Sequence, residues 1–253
     1  MGKRFDGKVV FITGAGSGIG LATAQHITAE GGRVALVDRN EEAVRQAAAD
    51  LAGSVAVPAD VSDAQQVTAA FDITVSELGG LDVVFNNAAV DGRMAPLHEL
   101  ELEDWRHVAT VNGEGTFTVF KHAIKHFLKS GGGVLVSTSS TTAMIGKADG
   151  IAAYSYSKGG LISLTRTAAI EYAAQNIRVN AVAPTVVLTP MLKEFIETSD
   201  DPAATQHMID HFNPMPGVVT PEEVATVVAF LASDDARRVT GVTLPVDAGD
   251  TAR

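Results

Sequence analysis

Short, continuously apolar runs alternate with helix-length segments along almost the whole chain, and few folds accommodate that pattern. The first run is Val9–Ile12, followed by a helix over Leu21–Glu30 that Gly31-Gly32 ends. Arg33–Asp38, Ser54–Ala59, Leu81–Phe85, Val134–Thr138, Arg178–Val182 and Val242–Val246 follow as further strands. Between them, helices are expected over Glu41–Leu51, Ser62–Leu78, about Leu102 to Lys129, Ala152–Ala174 and Pro221–Ala232. Ser62 is the expected N-cap of the Ser62–Leu78 helix. Thr220 followed by Pro221 is a strong start for the last one. Thr189 to Phe212 shows no regular period. Strands this apolar are buried on both faces, which requires a parallel sheet covered by helices. The expected fold is therefore doubly wound (Rossmann) α/β, with about seven parallel strands flanked by helices on both faces. No internal repeat, low-complexity tract or linker divides the chain, so residues 1–253 read as a single domain.

The net charge of −11 argues against a partner with a phosphate backbone and against an anionic membrane surface. There are no cysteines, which excludes disulfides, thiolate catalysis and cysteine zinc sites. The N-terminal segment lacks the apolar core of a secretory signal, and no run is long enough to span a membrane. A cytoplasmic protein is expected.

Between the first strand and helix lies Thr13-Gly14-Ala15-Gly16-Ser17-Gly18-Ile19-Gly20. Glycine lets backbone turn sharply and approach a ligand closely. A helix that begins there aims unpaired N–H groups and the positive end of its dipole at the turn, a place for pyrophosphate. The spacing Gly14-x3-Gly18-x-Gly20 is related to the common dinucleotide fingerprint without matching it. Asp38 ends the second strand 18 residues after Gly20. A carboxylate at that distance accepts hydrogen bonds from adenosine ribose hydroxyls and repels a 2′-phosphate, which favours NAD over NADP. The neighbouring Arg39 works the other way, and Asp38-Arg39-Asn40 is also an ordinary turn. Asp60-Val61 reads equally as an adenine contact or as a helix start.

Tyr154 and Lys158 are four residues apart on one helix face. A free tyrosine titrates near pH 10, and a neighbouring ammonium favours the phenolate, so the pair suits acid/base work. Ser139 and Ser140 follow the fifth strand, at the edge where such sheets bind ligands, within what is otherwise a plain polar loop. Asn112, flanked by Gly113 and Gly115, marks either a functional irregularity or a structural kink in a long helix.

Taken together, these residues resemble the short-chain dehydrogenase/reductase family in its compact single-domain branch, over nearly the whole chain. The cofactor turn matches. Asn86-Asn87-Ala88-Ala89 resembles the family's Asn-Asn-Ala-Gly element. Asn112, Ser140, Tyr154 and Lys158 fall at its catalytic tetrad. Val179–Pro184, Thr240-Gly241 and Val246–Gly249 resemble its later segments. The resemblance implies NAD contacts from Gly14, Ser17, Gly18, Ile19, Gly20, Asp38, Arg39, Asp60, Val61, Asn87, Ala88, Ala89, Val111, Tyr154, Lys158, Pro184, Val187 and Thr189. It implies hydride transfer between a secondary alcohol or ketone and the nicotinamide. Tyr154 would be the general acid/base, and Lys158 would lower its pKa and bind ribose. Ser140 would orient the substrate oxygen, and Asn112 would hold a relay water. A homotetramer built on the helices around 102–129 and 152–175 is implied by the same analogy.

Three departures stand out. Ser140 precedes Tyr154 by 14 residues, one more than is usual in the family, which lengthens the Gly146–Gly150 loop. Thr185 stands where the family has glycine, and so does Ala89. A substrate lid is expected around 189–216. Its Met191, Leu192, Phe195, Ile196, Met208, Ile209, Phe212 and Met215 either line the pocket or pack the lid down. Val90–Ala95 and Met144-Ile145 form the other expected walls, a setting for a small or medium, mostly apolar substrate. No metal is expected, since His122 and His126 share a helix face without a third ligand. A catalytically silent NAD sensor on the same fold is the competing function. The Tyr154-x3-Lys158 spacing favours carbonyl/alcohol chemistry over epimerase, dehydratase or enoyl reductase activity.

Overall fold

The computed structural model describes residues 3–252. Seven strands form one parallel sheet: β1 Val9–Thr13, β2 Arg33–Asp38, β3 Val55–Pro58, β4 Val83–Asn86, β5 Gly133–Thr138, β6 Ile177–Pro184 and β7 Thr243–Val246. Their order is β3-β2-β1-β4-β5-β6-β7. Ile12 pairs with Leu36 on one side and with Phe85 on the other. Both faces are covered. Val9 and Phe11 point into a core with Phe71, Phe120, Phe127 and Leu161. Val10 and Ile12, one residue out of phase, point into a core with Ile27, Val224, Val228 and Leu231. This period-two division explains why the strand shows no polar alternation.

The helices are α1 Gly18–Ala29, α2 Glu41–Ala49, α3 Ala64–Leu78, α4 Leu102–Val108, α5 Thr116–Ser130, α6 Ala152–Tyr172, α7 Pro190–Glu197, α8 Pro202–Asp210 and α9 Pro221–Ala232. α9 begins as expected, with a reciprocal capping box between Thr220 and Glu223. α3 departs from the expectation. Its N-cap is Asp63, whose carboxylate accepts from the Gln65 and Gln66 N–H groups, while Ser62 bonds back to Asp60. α1 starts at Gly18, three residues before the apolar pattern shows it, because Gly18 and Gly20 leave only Ile19 there to carry a period. The irregular stretch after Thr189 holds two short helices. Each has proline in its first turn and a side-chain cap, Thr189 for α7 and Asp201 for α8. Each is too short for periodicity to reveal it.

β1 is the switch point of the sheet, since chain order runs one way from β1 to β3 and the other way from β4 to β7. The loops leaving β1 and β4 therefore part and open a crevice at the C-terminal ends of the strands.

Candidate active site

The crevice floor is the Gly14–Gly20 turn. Gly14 and Gly18 have φ of +65° and +53°, values that favour glycine. A Cβ on Gly20 would run into the Gly14 carbonyl, and one on Gly14 would crowd Asn87 and Ala88. The backbone thus closes on itself in a way only glycine permits. Ser17, the N-cap of α1, makes no side-chain cap bond, so the first N–H groups of α1 are not taken up by that hydroxyl. A bare helix start beside a turn that any Cβ would fill fits the pyrophosphate of a dinucleotide.

Asp38 lies against this turn. One oxygen accepts from the Gly16 N–H at 3.0 Å and the other from the Asn40 N–H at 2.9 Å. A carboxylate has about four lone-pair sites, so acceptor capacity remains. Asp38, Arg39, Ala59, Asp60, Val61, Ala88, Ala89, Val90 and Val111 line one cleft with Gly14. Asp60 takes the helix-start role, its carboxylate accepting from Ser62, and also borders the cleft. The Ser62 hydrogen bond, with help from the charge of Arg39, holds its carboxyl below the usual range.

Asn87 serves the framework. Its amide nitrogen donates to the Thr13 and Gly14 carbonyls, and its oxygen accepts from Thr138, which ties β1, β4 and β5 together. Thr13 was not among the expected site residues. Its hydroxyl accepts from the Asn87 and Ala88 N–H groups, which fixes the crevice wall. A threonine at a strand end gives no sequence signal of that role.

At the far end of the crevice, β5 delivers Ser139 and Ser140 and α6 delivers Tyr154 and Lys158. Ser139 is buried and donates to the Lys158 carbonyl, so its hydroxyl is committed within the framework. The Ser140 hydroxyl accepts from the Thr142 N–H and hydroxyl, and it bonds to Tyr154. Of the two serines, Ser140 is the one whose hydroxyl reaches Tyr154. Lys158 is buried, donates to the Thr138 carbonyl at 2.7 Å, and stands 5.5 Å from the centre of the Tyr154 ring.

Burial dominates the electrostatics of this pair. Burial pushes the Tyr154 phenol well above its usual range, and the Asp91 carboxylate pushes the same way. Only the Ser140 hydrogen bond pulls it back. Burial also draws the Lys158 ammonium down to about 8, against the opposing charge of Asp91. In the free protein, desolvation therefore dominates the phenol. Asp91, in the loop after β4, is a charge near this pair that motif reading did not single out.

Asn112 lies in a π-helical turn, residues 109–115, between α4 and α5. Its side chain exchanges two hydrogen bonds with the backbone of Val90, both 2.9 Å, and donates to Ser157 at 3.1 Å. The irregularity flanked by glycines is thus both a kink and an anchor for the substrate-side loop. Pro184 ends β6. Val187 then pairs with Val219, closing the base of the 189–216 segment. Thr189 caps α7 and faces Gly18, so this segment begins over the glycine turn. Ile196 and Ile209 are buried and pack the segment down, whereas Phe195, Met208 and Met215 are exposed. The side chain of Met191 lies outside the described residues. Among those that are described, no group of three or more His, Cys, Asp or Glu side chains is placed to hold a metal ion.

A doubly wound sheet with a dinucleotide-type turn at its switch point and a serine, tyrosine and lysine beside it defines a nucleotide-dependent oxidoreductase class. The family described as enoyl-(acyl carrier protein) reductase matches residues 14–251. Cis-4-hydroxycyclohexanecarboxylate dehydrogenase of Sinomonas cyclohexanicum is 41% identical over 256 residues, covering 100% of both chains. Meso-2,3-butanediol dehydrogenase of Serratia marcescens is 41% identical over 254 residues, covering 98% of this chain and 96% of the relative. The crystal structure of levodione reductase superposes with a TM-score of 0.93 at 35% identity, covering 98% of this chain and 99% of that one. The chain belongs to the short-chain dehydrogenase/reductase family.

Proposed function

We propose that this chain is an NAD-dependent dehydrogenase/reductase that interconverts a secondary alcohol and a ketone within a single domain. The observation that carries the reading is the convergence of Ser140, Tyr154 and Lys158 beside the crevice, with Ser139 diverted to the framework. The Gly14–Gly20 turn would hold the pyrophosphate and Asp38 the adenosine ribose, with Val187 and Thr189 near the nicotinamide end. When bound, the oxidised cofactor supplies a hydride acceptor and a positive charge close to the phenol. Ser140 accepts from Thr142, and its own proton, which bonds to Tyr154 in the free protein, would turn to the substrate oxygen. Tyr154 takes the alcohol proton in oxidation and returns it in reduction. Lys158, held by Thr138, anchors the nicotinamide ribose and keeps positive charge beside Tyr154. Asn112 holds a water that connects this site to solvent.

The 41% identical relatives are named for a ring alcohol and a vicinal diol. Those names, with an apolar lid, support a small or medium, largely apolar secondary alcohol as substrate. A homotetramer in the cytoplasm is part of the same reading. Among the described residues, no helix is long and apolar enough to cross a membrane. The deciding experiment is a panel of cyclic, vicinal and open-chain secondary alcohols and ketones with NAD and NADP in parallel, followed at the reduced-nicotinamide absorbance. Turnover is expected with NAD. Tyr154→Phe is expected to lose at least about a thousandfold in kcat while keeping NAD affinity. Turnover retained in that variant removes Tyr154 from its role, and an NADP preference removes Asp38 from its own.

A further inference from the structure

Outside the catalytic set, segments far apart in sequence converge on one buried carboxylate. The Asp250 side chain is 0% exposed, and the Lys147 ammonium, on a side chain 11% exposed, reaches its Oδ2 at 2.6 Å. The Thr185 hydroxyl lies 3.1 Å from the same oxygen and 3.2 Å from the side-chain amide of Asn213. One hydroxyl proton cannot serve two acceptors. The carboxylate is the stronger acceptor of that proton, and the Asn213 amide oxygen lies beside it. Lys147 also stands 4.8 Å from the centre of the Phe212 ring. Next to this cluster the Met215 N–H donates to the Ala248 carbonyl at 3.0 Å, and Pro214 occupies the space beside Gly249. Ala248 itself is held at φ +50°, a strained value for a residue with a Cβ.

These contacts connect the loop between Ser140 and Tyr154, the residue after β6, the C-terminal end of the lid and the chain's last turn. Two of the departures from the family pattern, the lengthened Gly146–Gly150 loop and Thr185, meet at this carboxylate. A buried ion pair is a poor way to gain stability, since apolar side chains of equal volume do as well or better. What it provides is a fixed geometry. We propose that Lys147, Asp250 and Thr185 form a buried tie that seats the C-terminal end of the lid on the substrate side of the site. Lys147 and Asp250 are then positioning residues for the substrate. The inference rests on the reading of 189–216 as the substrate lid.

Lys147→Met keeps the stem on Phe212 and removes the charge, Lys147→Arg restores a charge, and Thr185→Val removes one hydroxyl at nearly constant volume. Hydrogen exchange over residues 202–217 and 247–252 reads the tie in the free protein. KM and kcat for an alcohol that the wild type oxidises, with the NAD dissociation constant, read its consequence. In Lys147→Met, lid exchange and KM are each expected to rise about tenfold. The kcat and NAD affinity are expected to stay within about threefold, a split that general destabilisation would not give. Lys147→Arg is expected to return both toward wild type, and Thr185→Val to move lid exchange the same way by less. Unchanged lid exchange overturns the proposal, and so does a fall in kcat and NAD affinity as large as the rise in KM. If Lys147→Met does not fold, Thr185→Val decides by the same exchange criterion. A wild type that oxidises no alcohol defeats the functional reading instead, and lid exchange still decides the tie.

Discussion

Lys158 shows at the scale of one residue how function works against stability. The side chain is buried, its ammonium donates to the Thr138 carbonyl, and its pKa falls from the usual 10.5 to about 8. Folding therefore favours the neutral amine. Below about pH 8 the folded protein bears the cost of a buried charge, and that cost fades as pH rises toward 10.5, where the unfolded lysine also loses its proton. At about 1.4 kcal/mol per pH unit, the gap amounts to about 3 kcal/mol. Between pH 7.5 and 10.5, unfolding free energy measured in urea should shift by about that amount in favour of the wild type relative to Lys158→Met. A difference that stays flat across that window would mean that Lys158 is not desolvated in the fold. Taking the difference between the two proteins cancels Tyr154, whose raised pKa costs stability above its usual titration range in both. The spacing of Tyr154 and Lys158 was readable from the sequence because one helical turn links them. That burial would raise the phenol's pKa was not readable, since desolvation depends on chain packed from elsewhere and the charge of Asp91 reaches it only in the fold.

The telling element is the turn between β1 and α1. Its glycines differ in what they do. Gly20 packs its α-carbon against the Gly14 carbonyl, whereas Gly113, in the π-helical turn, has open space around it. Gly20→Ala should lower NAD affinity by at least about a hundredfold and destabilise the fold by about 2 kcal/mol or more, as a backbone clash does. Gly113→Ala should be neutral or stabilising by up to about 1 kcal/mol, because alanine is the better helix former. Calorimetric titration with NAD and thermal melts of both variants would separate the two, and equal effects would contradict this account. The strands and α9 were legible because a continuous apolar run or a Thr-Pro start is a local signal. α7 and α8 were not, since 8 and 9 residues offer too few turns for a period and, unlike α2, neither lies between two apolar strands that would bracket it. Asp63 displaced Ser62 as a cap because Ser62 bonds to Asp60, a choice between neighbours that composition does not settle.

At the scale of the whole molecule, one surface is out of keeping with a chain that carries net charge −11. Trp105, Phe117, Tyr156, Leu161 and Leu164 line a groove of about 470 Å³ between α4, α5 and α6, with Phe117 57% and Tyr156 66% exposed. This is the face on which the expected homotetramer would be built. Light scattering should give about four times the mass of one chain, and Phe117→Glu should lower it by placing a charge in that groove. A wild-type monomer would refute the expectation. The sequence by itself determined the order of strands and helices, the covered parallel sheet, the glycine turn and the tyrosine–lysine pair. Each of these is written in local periodicity or in spacing within one element. Only the tertiary structure decided that Ser139 serves the framework while Ser140 faces Tyr154, and that Asn87 ties three strands together. It also decided that Lys147, Thr185 and Asp250 meet. Those facts depend on contacts between segments as much as 103 residues apart, which no local pattern records.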